Sequence, residues 1–205
     1  MFDMNKLLKS SDPKEQVLGA SISILNRHGY GGVCLTAVAS ELGISKQRVN
    51  YHYTDPEAIV LQLASKWSET GQLYTLKALA DTEFSNAEKI YAIADGMFNW
   101  MEAEPELSKL GLVLYQLAPQ IKELNKFMFE ARNAGRSRIQ SYLIMSEHFK
   151  NKMQLTIDRQ VTSLHSHMYG HFFYIVAMND FSRLQEHREN CRAGLTDLLL
   201  NPLKF

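Results

Sequence analysis

The sequence predicts an all-α protein of about nine helices, with an N-terminal three-helix head carrying a helix-turn-helix and a larger helical domain after it. Three observations lead there. Apolar residues recur at spacings of three and four along most of the chain, and no stretch alternates with the two-residue period of a strand. Helix-start chemistry stands at Asp12-Pro13-Lys14-Glu15, Asp55-Pro56-Glu57 and Ser85-Asn86-Ala87-Glu88, where a capping side chain precedes Pro or is followed three residues on by Glu. Between Leu35 and Tyr53 two short helical patterns flank a glycine. The expected division is 1–54 for the head and 55–205 for the second domain.

Residues 1–11 read as an arm; Lys6, Lys9 and Lys14 either trail along phosphates or sit in a solvated tail. The first helix opens at Asp12 and repeats Leu18, Ile22 and Leu25, with Val17, Ala20 and Ile24 widening the stripe. Gly29 and Gly31-Gly32 end it. In the second helix Val38, Ala39 and Leu42 share a face, and Gly43 supplies the backbone that can turn at positive φ. Ser45 is a good cap for the third helix, since its hydroxyl can accept from an orphan first-turn N–H. That helix keeps Ile44, Val49 and Tyr53 for the core. Its other face, Lys46, Gln47, Arg48, Asn50 and His52, is dense in hydrogen-bond donors. A helix this short needs tertiary docking to persist in water. Two helices on a glycine turn, the second polar and basic, describe a helix-turn-helix that reads DNA.

The stretch ILNRHGYGGVCLTAVASELGISKQRVNYHYTDPEAI, residues 24–59, resembles the DNA-binding domain of the tetracycline-repressor (TetR) family of bacterial regulators. The matching pieces are His28-Gly29-Tyr30, Val38-Ala39, Leu42-Gly43-Ile44-Ser45-Lys46, Tyr51-His52-Tyr53 and Glu57-Ala58, in order and without a gap. The resemblance implies that Tyr30 packs into the three-helix core. It implies a recognition helix whose Lys46, Gln47 and Arg48 face base edges, where Arg suits guanine and Gln suits adenine. Ser45, Asn50, Tyr51 and His52 would then position the helix on phosphates. The chain departs from the family at Val33-Cys34, where Thr or Ser commonly caps the second helix. Cys is a poor cap, so Thr36 is expected to contact phosphate or to begin the helix instead. Asn50 stands where an aromatic is frequent, and Pro56 where a phosphate-touching Lys often stands.

The fourth helix runs from Pro56 to about Ala80 with Ile59, Leu63, Trp67, Thr70 and Tyr74 on one side, a length suited to connecting a head to a second domain. Asp81 to Asn86 is a turn. Ile90, Ile93, Met97, Trp100 and Met101 make the fifth helix, closed by Pro105. Leu107, Leu110, Leu114 and Leu117 make the sixth, ended by Pro119. The seventh runs from Ile121 to about His148 through Leu124, Met128, Ala131, Ile139, Tyr142 and Leu143, with a loop near Asn151-Lys152. Val161, Leu164, Met168, Phe172, Ile175 and Asn179 mark the eighth helix. Leu184, Cys191, Leu195 and Leu198 mark the ninth, ending at Asn201-Pro202.

Helices eight and nine carry more apolar surface than one inward stripe needs: Leu164, Phe172, Phe173, Tyr174, Val176, Phe181, Leu195, Leu199 and Leu200. Either the pair is buried centrally or it forms the seam of a homodimer, which in the TetR family is a four-helix bundle. The seam is the favoured reading, because a single helix-turn-helix makes few contacts and two would read a near-palindromic operator. Met97, Trp100, Met101, Tyr115, Phe127, Met128, Tyr142, His165 and Met168 are individually ordinary core residues. As a set they suit an apolar effector cavity with a few polar anchors, an expectation the resemblance strengthens. Effector binding would shift the population toward a form that no longer fits the operator.

Composition sets the remaining bounds. Apolar and charged fractions of 45% and 21% are those of an ordinary globular protein, and the formal net charge is zero. A neutral chain can still bind DNA where basic groups cluster, as Arg27, Lys46 and Arg48 would. No run reaches the roughly 18 apolar residues of a membrane span, and the first residues lack a signal-peptide core, so a cytoplasmic location is expected. Cys34 and Cys191 read as buried free thiols. His148, His165, His167, His171 and His187 include an i, i+4 pair, but without a neighbouring Cys or HExxH glutamate no metal or other cofactor is assigned. No catalytic constellation appears in a supporting context. The leading expectation is therefore a ligand-responsive, homodimeric DNA-binding regulator, most simply a repressor. Its rivals are a helical DNA-organising or adaptor protein without an effector, and an all-α enzyme.

Overall fold

The computed structural model describes residues 10–80, 85–86, 88–147 and 149–201. The basic arm with Lys6 and Lys9, most of the turn after Ala80, Ala87, His148 and Pro202 lie outside the described residues. Among the described residues there are nine α-helices and no strand: α1 Pro13–His28, α2 Leu35–Leu42, α3 Lys46–His52, α4 Pro56–Ala80, α5 Lys89–Ala103, α6 Pro105–Leu117, α7 Lys122–Met145, α8 Gln154–Met178 and α9 Leu184–Leu200. Short 3-10 turns lie at Tyr30–Gly32 and Phe181–Arg183. No helix among the described residues is long and apolar enough to cross a membrane.

The anticipated starts carry the expected chemistry. Asp12 Oδ1 accepts from the Lys14 N–H at 2.9 Å with Pro13 in the first turn. Glu88 Oε2 accepts from both the N–H and hydroxyl of Ser85, and the Glu88 N–H returns to Ser85 Oγ, a reciprocal capping box before α5.

Two helix ends, those of α7 and α8, differ from the periodic reading. Helix α7 stops at Met145, where Ser146 N–H turns back to the Leu143 carbonyl and Phe149 N–H to that of Ser146. Helix α8 begins at Gln154, directly after the loop expected near Asn151-Lys152; its first turns present Gln154, Asp158 and Thr162 outward and bury Ile157, so the apolar stripe is thin there. Asn179 is not part of that stripe. It is exposed at φ 52°, and ends α8 with its N–H on the Val176 carbonyl while Asp180 N–H reaches that of Ile175.

The chain forms two compact units. The first comprises the described part of Met1–Thr70 with Ala103–Phe129; the second comprises Gly71–Glu102 with the described part of Glu130–Phe205. In the first, Val17, Ile22 and Leu25 of α1, Val38 of α2, Val49 of α3, Ile59 and Leu63 of α4 and Leu107, Leu110 and Leu114 of α6 are buried. Asn26 Nδ2 donates to the Glu106 carbonyl at 3.1 Å and carboxylate at 2.9 Å, tying α1 to α6. Lys66 pairs with Glu15 at 3.3 Å, and the Trp67 and Tyr115 rings meet edge-on.

In the second unit Ile90, Phe98, Met101, Ile139, Leu143, Leu164, Phe172, Ile175 and Leu195 form the core. Trp100 stacks on Phe172 with ring centres 5.7 Å apart. Gly96 lets α5 rest on the backbone of α4: an added Cβ would stand 2.6 Å from Thr75 Cα. Helix α9 is held by Arg192 to Asp95 at 2.7 Å and by Gln160 Nε2 donating to the Leu198 carbonyl at 2.6 Å.

Candidate nucleic-acid interface

Helix α2 begins at Leu35, not at Thr36. Cys34 is its cap after all, its Sγ accepting from the Ala37 N–H at 3.3 Å. Sulfur is a weak acceptor, but the extended backbone of Cys34 (φ −141°) aims it at the orphan donor. This role also leaves Cys34 exposed, against the expectation of two buried thiols; Cys191 is buried as expected. Thr36 is exposed one residue into the helix.

Gly43, at φ 64° and ψ 30°, turns the chain between the two helices. Its N–H reaches the Ser40 carbonyl and the Ile44 N–H that of Ala39, so the end of α2 is satisfied within the turn. Ser45 Oγ then accepts from the Arg48 N–H at 3.3 Å and opens α3. Val49 is fully buried and Tyr53 is 6% exposed, while Ile44 is half-buried, so the inward side of α3 is narrow. Burial, and then the Asp12 carboxylate, push the Tyr53 phenol up to about 12. Tyr30, in the 3-10 turn, is half-buried and also raised, first by burial. Asp55 Oδ1 caps α4 through the Ala58 N–H at 2.8 Å, and that bond, followed by one from Thr54, holds its carboxyl below the usual range.

What remains of α3 faces outward. Ser45, Lys46, Gln47, Arg48, Asn50 and Tyr51 are exposed, Tyr51 by 85%, and His52 is half-buried with its ring edge-on to that of Tyr51. Neither Lys46 nor Arg48 forms an ion pair among the described residues. Arg27 does: it is bound to Glu41 of α2 at 2.5 Å, so its charge is partly neutralised rather than added to a cluster with Lys46 and Arg48. The face therefore offers two unpaired cations, an amide at Gln47, another at Asn50 and a phenol, spaced over two helical turns.

The proposed effector residues divide between the units. Tyr115, Phe127 and Met128 belong to the first; Met97, Trp100, Met101, Tyr142, His165 and Met168 belong to the second. Trp100, Met101, Met128, His165 and Met168 are buried, and Met97, Tyr115, Phe127 and Tyr142 are half-buried. His165 is the most informative. It stacks on Tyr169 with centres 4.3 Å apart, and its Nε2 is buried with no hydrogen-bond partner among the described residues. Burial, then the Arg136 and Arg132 charges, lower its pKa to about 4, so it is neutral at pH 7. An open groove of about 500 Å³ in the first unit is lined by Ala118, Pro119, Lys122, Asn125 and Phe129 among others, and includes none of the proposed effector residues.

Sequence reasoning also missed a grouping. Cys191 lies beside His167 and His171, although a Cys near these histidines was not expected. The sequence signal was there as two i, i+4 pairs, His167/His171 and His187/Cys191, but only folding puts them together.

No protein-family model and no curated protein matches the chain. Solved structures do. A proposed transcriptional regulator from Pseudomonas aeruginosa PAO1 superposes with a TM-score of 0.77 at 16% identity, covering 96% of each chain. A TetR transcription regulator from Haloarcula marismortui ATCC 43049 gives 0.68 at 19% identity, covering 89% of this chain and 96% of that one. A SmeT–triclosan complex gives 0.68 at 12% identity, covering 88% of this chain and 90% of that one. With the capped helix-turn-helix at its N-terminal end and an all-helical remainder, the chain has the fold of the TetR-type transcriptional regulators.

Proposed function

We propose that the protein is a homodimeric, ligand-responsive transcriptional regulator of the TetR type, most simply a repressor released from a near-palindromic operator by a small molecule. The observation that carries this is α3: a short helix anchored by Val49, capped at Ser45, with every other side chain from Lys46 to Tyr51 turned outward. Residues 1–54 act as the DNA-reading part and 55–205 as the effector and dimerisation part. Lys46, Gln47 and Arg48 read base edges in the major groove; Thr36, Ser45, Asn50, Tyr51 and His52 position the helix on phosphates. With net charge zero and Arg27 committed to Glu41, affinity rests on few phosphate contacts and falls with salt.

Dimerisation through α8 and α9 is supported by Tyr174, Met178 and Leu200, which are 50%, 64% and 69% exposed in the single chain. Two copies would present their recognition helices about 34–36 Å apart. The small-molecule reading is supported by the Nε2 of His165, buried beside Tyr169 with no hydrogen-bond partner among the described residues. SmeT, a protein of this fold, is in complex with triclosan, which supports a small-molecule partner here. We assign no catalytic residue, no cofactor and a cytoplasmic place of action.

The test is selection of bound duplexes from a random pool, run beside Arg48→Ala. An enriched near-palindrome, with a base preference weakened by about 1–3 kcal/mol in the variant, is expected. Binding without an enriched sequence would replace this reading with that of a DNA-organising protein. Absence of binding at moderate salt, in protein freed of small molecules by refolding, would overturn the nucleic-acid assignment.

A further inference from the structure

Helices α8 and α9 form an antiparallel hairpin: Gln160 meets Leu198, His167 meets Cys191 and His171 meets His187 as the numbering runs in opposite directions. Across it face two i, i+4 pairs, His167 with His171 on α8 and His187 with Cys191 on α9, and residues at this spacing share a helix face. One donor atom each from His167, His171 and Cys191 lies within 4.8 Å of the others. The His171 and His187 rings are 5.9 Å apart. We propose that His167, His171 and Cys191, with His187 as the fourth donor, form a binding site for one divalent transition metal of the zinc class.

Five features support a site rather than a chance meeting. The donor set, imidazoles with one thiolate, is that of tetrahedral zinc. Metal–ligand bonds of about 2.0–2.3 Å bring such donors roughly 3.3–3.8 Å apart, a small contraction from the present spacing. His167 is already oriented: its Nε2 lies 3.1 Å from the Cys191 carbonyl oxygen. A carbonyl only accepts, so Nε2 carries the proton and Nδ1 holds the lone pair. His187 is oriented in the same manner by a carboxylate, with Nε2 3.3 Å from Asp180 Oδ2. Finally, Gly194 opens the place in which the His167 ring lies. A Cβ there would stand 2.4 Å from two of the ring atoms.

The electrostatics agree. Burial lowers the pKa of His171 first, and the neighbouring His167 and His187 lower it further, so its own imidazole favours the neutral form with a lone pair to give. Burial, then the Asp95 carboxylate, push the Cys191 thiol up to about 12. The metal must therefore displace that proton, the S–H bond breaking as the S–metal bond forms, with one proton released to solvent per ion bound.

The test is titration of the full chain with Co²⁺ and then Zn²⁺, in a Cys34→Ser background so that the exposed thiol takes no part. Expected are one Co²⁺ per chain, the near-ultraviolet absorption of a cobalt–thiolate bond, the intense visible bands of tetrahedral coordination, and displacement of Co²⁺ by Zn²⁺. Cys191→Ser should abolish the near-ultraviolet band. His171→Ala should weaken binding by roughly 100-fold or more, and Gly194→Ala by about 10-fold through the displaced His167 ring. Circular dichroism establishes that each variant is folded; should Cys191→Ser not fold, the sulfur band of the parent chain still identifies the thiolate. Failure to bind either ion, or an unchanged cobalt spectrum in Cys191→Ser, would overturn the proposal.

Discussion

Helix α3 buries Val49 alone, whereas α8 buries a nearly continuous series from Ile157 to Val176 that includes Gln160 and His165. The first is held in place by features adjacent in sequence: a glycine turn, a serine cap and one apolar anchor. The second is held by partners on other helices, such as Trp100 against Phe172 and the Leu198 carbonyl against Gln160. A helix whose chemistry faces solvent can be specified locally, because its side chains need only be presented. A helix whose chemistry faces inward acquires its meaning from what the fold brings to it.

This contrast predicts that stability is concentrated in the second region. Phe172→Ala, at a ring that is 2% exposed and stacked on Trp100, should destabilise the protein by about 3–5 kcal/mol in denaturant melts. Alanine at Arg48 or Gln47, both exposed, should change stability by less than about 0.5 kcal/mol while altering base preference. A substantial loss of stability at Arg48 would break the division between a helix that presents and a helix that packs.

Two glycines sharpen it. Gly96 is required for space, since a Cβ would meet the Thr75 backbone at 2.6 Å; Gly43 has open space around its Cβ position and is required for its positive φ. Alanine at 96 should cost about 1–3 kcal/mol through overpacking. Alanine at 43 should cost about 1–2 kcal/mol through left-handed backbone strain. The discriminating substitution is asparagine, which tolerates that conformation: Gly43→Asn should recover much of the loss, whereas Gly96→Asn should be no better than alanine. Equal behaviour of the two asparagine variants would remove the distinction between local and tertiary specification.

The same distinction explains what could be read from sequence. The nine helices, the Asp12, Ser45, Asp55 and Ser85–Glu88 starts and the Gly43 turn are short-range features, and propensity with capping suffices for them. The first turns of α8 carried little periodic signal because they are polar outside and bury few residues, so only the loop near Asn151-Lys152 marked where the helix begins. Cys34 was discounted as a cap on residue type, whereas its backbone angle decides the matter. The Asn26 link to Glu106 and the meeting of Cys191 with His167 and His171 join residues far apart in sequence, where no local pattern distinguishes contact from coincidence. The outward set on α3 was legible as a surface of donors. The proposed effector residues were legible only as large and apolar, which core and pocket share, and the structure divides them between two units.

The last effect, present only at high pH, concerns how dry the head's own small core is. Tyr53 is 6% exposed and its phenol is pushed up to about 12, whereas in the unfolded chain it ionises near 10. Below pH 10 the phenol is neutral in both states and its placement costs nothing electrostatically. Between pH 10 and about 12 the unfolded chain releases this proton while the folded one retains it, so stability falls as pH rises. The slope from one such group is at most about 1.4 kcal/mol per pH unit. Comparing denaturant midpoints of the unchanged chain and Tyr53→Phe from pH 9 to 11.5 isolates it, since the other tyrosines are common to both. The variant should show the shallower decline. Parallel declines would mean that water reaches Tyr53 in the folded head, and that even the inward side of the helix-turn-helix is less closed than its single anchor at Val49 implies.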